Sequence, residues 1–250
     1  MTKEETMLEK RLIELSEAAY HRDIVTFSDF LNLNELHILH SVPKNLFSSR
    51  YETFGGYEYA ERQMVAFLPG ALYYAVTYPI CVLCISPAHR KYAEELTHRD
   101  YLGAILNLGI ERSKIGDLAI QNENCLVFCR DTIADFIAEQ LTRVRHTVVT
   151  VKKIEPEELS YKPDLQEMSG TVASVRLDSV LSIGFPLSRN KLVGYIEGGK
   201  VYVNGKLITS NGYHLKENDI ISVRGMGRII YGGILSETRK GRYFVRIYKY

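Results

Sequence analysis

Residues 176–207 read RLDSVLSIGFPLSRNKLVGYIEGGKVYVNGKL, and their pattern is the most informative in the C-terminal third of the chain. Apolar residues recur at helical spacing over Leu177–Ile183, and Pro186 ends that helix. Ser188 then occupies an N-cap position, where its hydroxyl can accept a free backbone N–H, and apolar residues continue at helical spacing behind it. The pattern predicts two consecutive short helices.

A β-hairpin is predicted directly after the helix pair. Gly198-Gly199 can adopt the positive φ that closes a helix C-terminus. Residues 201–203 alternate as strand residues do, and Asn204-Gly205 favours a tight hairpin turn because both residues tolerate the left-handed conformation. The predicted order is therefore helix, helix, hairpin.

Basic residues stand at the ends of these predicted elements. Arg189 and Lys191 fall in the first turn of the second helix, where the helix dipole favours anions and disfavours cations. Because free backbone N–H groups lie at the same place, a basic pair there suits a bound phosphate. The alternative is a solvated basic face, since exposed Lys and Arg are common on any protein surface.

The segments RLDSVL and LSRNKLVGYIEGGKVYVNGKLI resemble the S4 RNA-binding domain, which occurs in rRNA-modifying and ribosome-associated proteins. The resemblance implies that the helix pair and the adjoining hairpin bind structured RNA. Basic residues at later turns and strand edges extend this surface. The predicted RNA-binding residues are Arg176, Ser188, Arg189, Asn190, Lys191, Lys200, Asn204, Lys206, Arg224, Arg228, Lys240 and Arg242.

The distribution of charge agrees with RNA binding at the C-terminal end. The net charge is only +1, but residues 171–250 carry 13 Lys and Arg against 5 Asp and Glu, a net of +8. The first 170 residues carry 18 against 25, a net of −7. Such asymmetry between the two parts of a chain indicates a basic module for nucleic acid joined to an acidic body.

The sequence contains no apolar run long enough to span a bilayer. Its N-terminal segment, MTKEETMLEKRL, alternates charges where a signal peptide needs an apolar core. We therefore expect a cytoplasmic protein with no membrane partner, and we expect it to be a monomer.

We interpret the chain as an α+β protein with a helical segment at its start. Apolar residues at spacings of three and four predict a helix over Lys3–Tyr20, and a second helical pattern covers Phe27–Leu39 with Ser28 as its N-cap. The predicted parts are a helical N-terminal subdomain (1–55), a ferredoxin-like middle domain (56–155), a linker rich in acids and proline (156–170) and the S4 domain (171–250).

The middle domain shows the element order β-α-β-β-α-β from Tyr78 onward, which is the split ferredoxin-like arrangement. RNA recognition motifs share this arrangement and stack bases on aromatic residues of their sheet. The segment CLVFC offers Phe128 but lacks the surrounding Gly and aromatic pattern. We therefore expect a docking or structural role for this domain rather than base stacking.

Four cysteines, Cys81, Cys84, Cys125 and Cys129, raise the question of a zinc site. Both pairs lie inside apolar strand-like runs, where residues three apart face opposite sides of a sheet and no sharp turn brings ligands together. Reduced, packed thiols are the better interpretation. We expect no metal and no cofactor.

A longer resemblance covers residues 57–250. The segments FGGYEYAERQMVAFLP, LGAILNLGIERSKIGDLAI and VRGMGR, followed by KGRYFVRIY, resemble the bacterial YlmH family and its photosynthetic relatives, the photosystem II S4 domain proteins. This resemblance implies an RNA-binding protein on the large ribosomal subunit, linked to quality control of stalled nascent chains through rRNA and tRNA. The genes of this family also lie near cell-division genes.

Enzymatic alternatives find little support in the sequence. S4 domains are often joined to rRNA methyltransferases or pseudouridine synthases, but CISPAHRKYAEEL lacks the Gly-rich loop of a methyltransferase. The one Arg-Leu-Asp triplet, residues 176–178, lies inside the predicted S4 helix, where Asp178 suits the helix start. We therefore expect a non-enzymatic protein, and a cell-division or interaction factor with secondary RNA binding remains a further alternative.

Overall fold

The computed structural model describes residues 2–155, 159 and 161–250, and the chain divides into two compact units, Met1–Tyr161 and Lys162–Tyr250. The α-helices of the described residues are α1 (Lys3–Arg22), α2 (Leu33–Ser41), α3 (His98–Leu106), α4 (Asp131–Gln140), α5 (Leu177–Gly184) and α6 (Arg189–Glu197). Among these residues, no helix combines the length and apolarity needed to cross a membrane.

The strands of the described residues form three antiparallel sheets. In the first unit they are β1 (Thr26–Phe27), β2 (Arg50–Phe54), β3 (Met64–Leu68), β4 (Ile80–Pro87), β5 (Ile115–Gln121), β6 (Asn124–Arg130), β7 (Arg143–Val144) and β8 (Thr147–Ile154). In the second unit they are β9 (Gln166–Val172), β10 (Val201–Val203), β11 (Lys206–Leu207), β12 (Ile220–Val223), β13 (Gly227–Glu237) and β14 (Tyr243–Lys249).

The N-terminal part is not purely helical, which corrects the expectation for residues 1–55. Helices α1 and α2 share a core with a sheet of order β1-β3-β2, and all five residues of the central strand β3 are buried. The subdomain therefore extends at least to Leu68. Asn32 rather than Ser28 caps α2, in a capping box with Glu35, while the Ser28 hydroxyl accepts the backbone N–H of Val65 at 2.9 Å.

The middle domain has the predicted ferredoxin-like topology. Its sheet order is β5-β6-β4-β8-β7, with every pair antiparallel, and α3 and α4 are the two connections of the β-α-β-β-α-β order. Both helices pack against the face of the sheet that carries Leu83, Ile85 and Val127. The predicted order is confirmed, with one additional short strand, β7, before the last.

The opposite face of this sheet is covered by aromatic side chains. Phe128 is fully buried, and its ring centroid lies 4.9 Å from that of Tyr57 and 6.1 Å from that of Tyr161. An RNA recognition motif would present Phe128 to a base from this face. Because protein side chains already occupy that position, Phe128 belongs to the core.

The second unit contains a six-stranded sheet of order β11-β10-β12-β13-β14-β9, with α5 and α6 packed on one face. The predicted helix pair is confirmed, and so is the hairpin, in which Asn204 and Gly205 have φ of 48° and 77°. The predicted linker extends too far towards the C-terminus. Residues 166–170 belong to β9, which pairs with β14 over its full length, and residues 156–158 and 160 lie outside the described residues.

Candidate nucleic-acid interface

The helix pair is joined by a buried carboxylate. Asp178, in the first turn of α5, accepts hydrogen bonds from Arg176 Nε at 3.2 Å and Nη2 at 3.1 Å. Arg189, in the first turn of α6, donates to Asp178 Oδ2 from Nε at 3.0 Å and from Nη2 at 2.7 Å. Arg189 Nη2 also donates to the Ser179 hydroxyl at 3.0 Å. We call these four residues the Asp178 cluster.

The Asp178 cluster explains a cation in a position that the helix dipole disfavours. The Asp178 side chain is only 4% exposed, and a buried charge needs a paired and hydrogen-bonded partner. Arg189 and Arg176 supply that partner while their own side chains remain 53% and 40% exposed. Asp178 therefore connects the two helices in addition to lying at the start of α5. Arg189 is held by this carboxylate, so it is not simply a solvated surface residue. Both arginines are held in fixed positions at the protein surface.

The remaining predicted residues of the helix mouth are exposed. Ser188 lies at the N-cap position of α6, as predicted, but its side chain makes no capping hydrogen bond. Asn190 and Lys191 are exposed, and Lys191 has no acidic partner among the described residues. Lys191 thus lies in the same first turn of α6 as Arg189, together with open backbone N–H groups, and such a helix N-terminus suits a phosphate group.

A second group of predicted residues lies at one end of the six-stranded sheet. The backbone N–H of Arg224 donates to the carbonyl of Lys200 at 2.9 Å, so the start of β10 and the end of β12 meet there. The Arg224 guanidinium lies 5.7 Å from the ring centroid of Tyr202, and that of Arg228 lies 4.2 Å from the ring centroid of Tyr250. These contacts orient two arginines on aromatic faces.

Asn204 has a structural task in the hairpin. Its side-chain amide donates to Asp219 Oδ1 at 2.8 Å, and its oxygen accepts the backbone N–H of Ile220 at 2.9 Å. The amide of Asn204 is thus engaged in fixing the hairpin against β12. Lys206, two residues further on, is exposed.

The last two predicted residues, Lys240 and Arg242, lie at the β13–β14 turn. This turn stands at the opposite end of the sheet from Arg224 and Arg228 because β13 and β14 run antiparallel. Arg242 Nη2 donates to the carbonyl of Thr171 at 3.2 Å. The twelve predicted residues therefore separate into the helix mouth, one end of the sheet, and the two turns at its other end.

The cysteines of the middle domain are packed on the two faces of its sheet. Cys81 is the register partner of Cys129, and both pack on the helix-covered face, whereas Cys84 packs on the other face. Burial raises the pKa of the Cys125 thiol to about 12 and raises that of Cys129 as well. The described residues contain no group of three or more His, Cys, Asp or Glu that could hold a metal ion.

Comparisons with known proteins agree with this architecture. One family model, described as a putative RNA-binding domain in YlmH, matches residues 77–158, and the S4 domain model matches residues 175–221. A Bacillus subtilis (strain 168) protein named ribosome-associated protein quality control protein P2 is 30% identical over 195 residues, covering 76% of this chain and 74% of that relative. The fold and the matches define a protein of the RNA-binding class that carries an S4 domain.

More narrowly, the chain belongs to the YlmH family. A solved structure named cell division protein ylmH from Streptococcus pneumoniae shares the fold, with a TM-score of 0.51 and 19% identity, covering 64% of this chain and 96% of that chain. The description of residues 77–158 as a putative RNA-binding domain differs from the docking or structural role expected for the middle domain. Because Tyr57 and Tyr161 cover Phe128, this side chain is not available to stack a base.

Proposed function

We propose that the protein is a non-enzymatic RNA-binding factor that acts on the large ribosomal subunit in ribosome-associated quality control. Its C-terminal unit binds structured rRNA, and tRNA held on the same subunit is a second contact. The Bacillus subtilis relative, whose name places it in ribosome-associated quality control, supports the cellular process. The protein is then cytoplasmic and acts as a monomer.

The single observation that carries RNA binding is the geometry of the Asp178 cluster. A buried carboxylate fixes two arginines beside the open N-terminus of α6, so a phosphate meets donors that are already oriented. Pre-oriented donors lower the entropy lost on binding, and guanidinium groups hydrogen-bond phosphate in a fixed geometry. The net charge of +8 on residues 171–250 supplies the long-range attraction.

The state of the cysteines also supports a non-enzymatic role. A cysteine nucleophile acts as the thiolate, which burial disfavours at Cys125 and Cys129. Both side chains are fully buried against the helices of the middle domain. These thiols serve packing.

Crosslinking in cells, followed by sequencing of the bound RNA and identification of the bound proteins, tests this function. We expect rRNA to dominate the RNA signal, with tRNA as a minor component, and we expect the protein to sediment with large subunits. A signal from division proteins without enriched RNA would instead favour the interaction-factor alternative.

A further inference from the structure

The middle domain contains a groove lined by arginines on an otherwise acidic body. The groove has a volume of about 590 Å³ and runs along α3, with the C-terminal end of α4 and the β7–β8 turn on its other side. Its basic lining residues are Arg99, Arg143 and Arg145, which are all exposed, and we call it the arginine groove. Within the described residues, Arg99 and Arg143 have no acidic partner.

Two of the three arginines occupy positions at which the local backbone does not favour arginine. Arg99 is the second residue of α3, in the first turn, where the helix dipole disfavours a cation. Arg145 has φ of 53° in the two-residue turn between β7 and β8, a position at which Asn or Gly is favoured. Non-glycine residues in this conformation are uncommon and cluster at functional sites. The helix dipole at Arg99 and the turn conformation at Arg145 thus do not favour arginine at either position.

The groove also contains polar groups suited to a ribose-phosphate backbone. Asp100 lies 3.4 Å from Arg145 Nε and orients that side chain. Asn107, Gln140 and Thr142 line the same groove and offer uncharged donors and acceptors. Sites that bind an RNA backbone usually combine arginines, which contact phosphates, with side-chain amides and hydroxyls. The amides and hydroxyls can hydrogen-bond the 2′-hydroxyl of the ribose.

We propose that the arginine groove is a second RNA site, which binds the sugar-phosphate backbone of structured RNA independently of the helix mouth in the S4 domain. This inference rests on the proposed RNA-binding function and assigns the RNA contact of the middle domain to a surface on its helical side. Base stacking on Phe128 is not the contact proposed here, because Tyr57 and Tyr161 cover that ring.

The test uses the full-length double variant Arg99→Glu/Arg143→Glu, which leaves the turn residue Arg145 in place. A matched control, Lys10→Glu/Lys44→Glu, makes the same change of charge at exposed positions of the same unit. Affinity for a labelled RNA hairpin is measured over a range of salt concentrations, and circular dichroism verifies folding. The neutral variant Arg99→Ala/Arg143→Ala is measured in parallel should the charge reversal disturb the fold.

We expect the groove variant to bind about tenfold more weakly than the control, with a salt slope shallower by roughly 1.8, because two phosphate contacts are lost. Affinity and slope equal to those of the control would overturn the proposal. Unchanged hairpin binding combined with weaker sedimentation with ribosomes would also overturn it, since the groove would then bind a protein.

A parallel Lys191→Ala variant separates the two proposals. Weaker binding by Lys191→Ala but not by the groove variant would leave RNA binding by the S4 domain intact and remove only the second site. Weaker binding by the groove variant alone would support the second site and count against the helix mouth.

Discussion

Asp178 and Arg189 lie eleven positions apart in the sequence, yet two nitrogens of Arg189 donate to the same carboxylate oxygen of Asp178, at 3.0 and 2.7 Å. This pair connects the first turns of α5 and α6 and thereby couples the packing of the S4 unit to the position of a surface guanidinium. Because Arg189 contributes to folding as well as to the proposed RNA site, its replacement cannot test RNA recognition alone.

The first prediction concerns the strength of this pair. Arg189→Ala should lower the free energy of unfolding by about 1–3 kcal/mol, because it leaves a buried carboxylate with Arg176 as its remaining cation. In a double-mutant cycle with Asp178→Asn, the coupling energy should be about 1–2 kcal/mol, measured by urea denaturation.

Lys191→Ala is the matched control for this cycle, since Lys191 is exposed and lacks an acidic partner among the described residues. Its unfolding free energy should stay within about 0.5 kcal/mol of the parent. A coupling energy near zero between Asp178 and Arg189 would show that the pair is as weak as an ordinary surface ion pair.

The second prediction concerns the aromatic cover of the middle domain. Phe128→Leu should lower the free energy of unfolding by about 1–2 kcal/mol through lost volume and lost ring contacts with Tyr57 and Tyr161. RNA affinity of the folded variant should not change, because Phe128 is fully buried. If Phe128 stacked a base, its loss would weaken binding by about 1–3 kcal/mol, and filter binding separates these outcomes.

The third prediction concerns stability at high pH. The pKa of Cys125 rises from an ordinary value of 9.0 to about 12 in the folded protein because its thiol is buried. The folded state therefore retains a proton that the unfolded state loses, so this stabilising contribution is complete below pH 9.0 and declines as the pH rises towards about 12.

Urea denaturation at about pH 8 and about pH 10 measures this decline. Cys125→Ala removes the titrating group, so the difference in unfolding free energy between the two pH values should be smaller in the variant than in the parent. An equal difference in both proteins would show that the Cys125 thiol does not contribute to the pH dependence.

Local patterns were enough to predict the elements that bear the site. The apolar spacing of residues 177–183 and the Asn204-Gly205 turn specify structure through neighbours in sequence, and both the helix and the hairpin are present. The β-α-β-β-α-β order was equally accessible, since each of its elements buries a periodic apolar face.

Contacts between residues far apart in the sequence were not predicted. Strand β1 has only two residues and no periodicity, and β9 lies at the edge of its sheet, where QEMSGTV needs few apolar side chains. The Asp178–Arg189 pair depends on how α5 crosses α6, which the spacing of apolar residues does not specify. The sequence feature that could have indicated this pair is a cation in the first turn of α6 together with an acid in the first turn of α5.

The fourth prediction separates RNA recognition from folding at Lys191. Lys191→Ala should remain as stable as the parent and bind a structured RNA hairpin more weakly at moderate salt, because one phosphate contact and its counterion release are lost. Lys162→Ala is the matched control, since Lys162 is an exposed cation of the same unit outside the predicted RNA-binding residues.

The most direct measurement is therefore the slope of log affinity against log salt concentration for the parent, Lys191→Ala and Lys162→Ala. We expect the slope of Lys191→Ala to be shallower by about 0.9 on a duplex RNA, or by about 0.7 on single-stranded RNA, while Lys162→Ala keeps the slope of the parent. Identical slopes and affinities for all three proteins would contradict RNA binding at the mouth of α6.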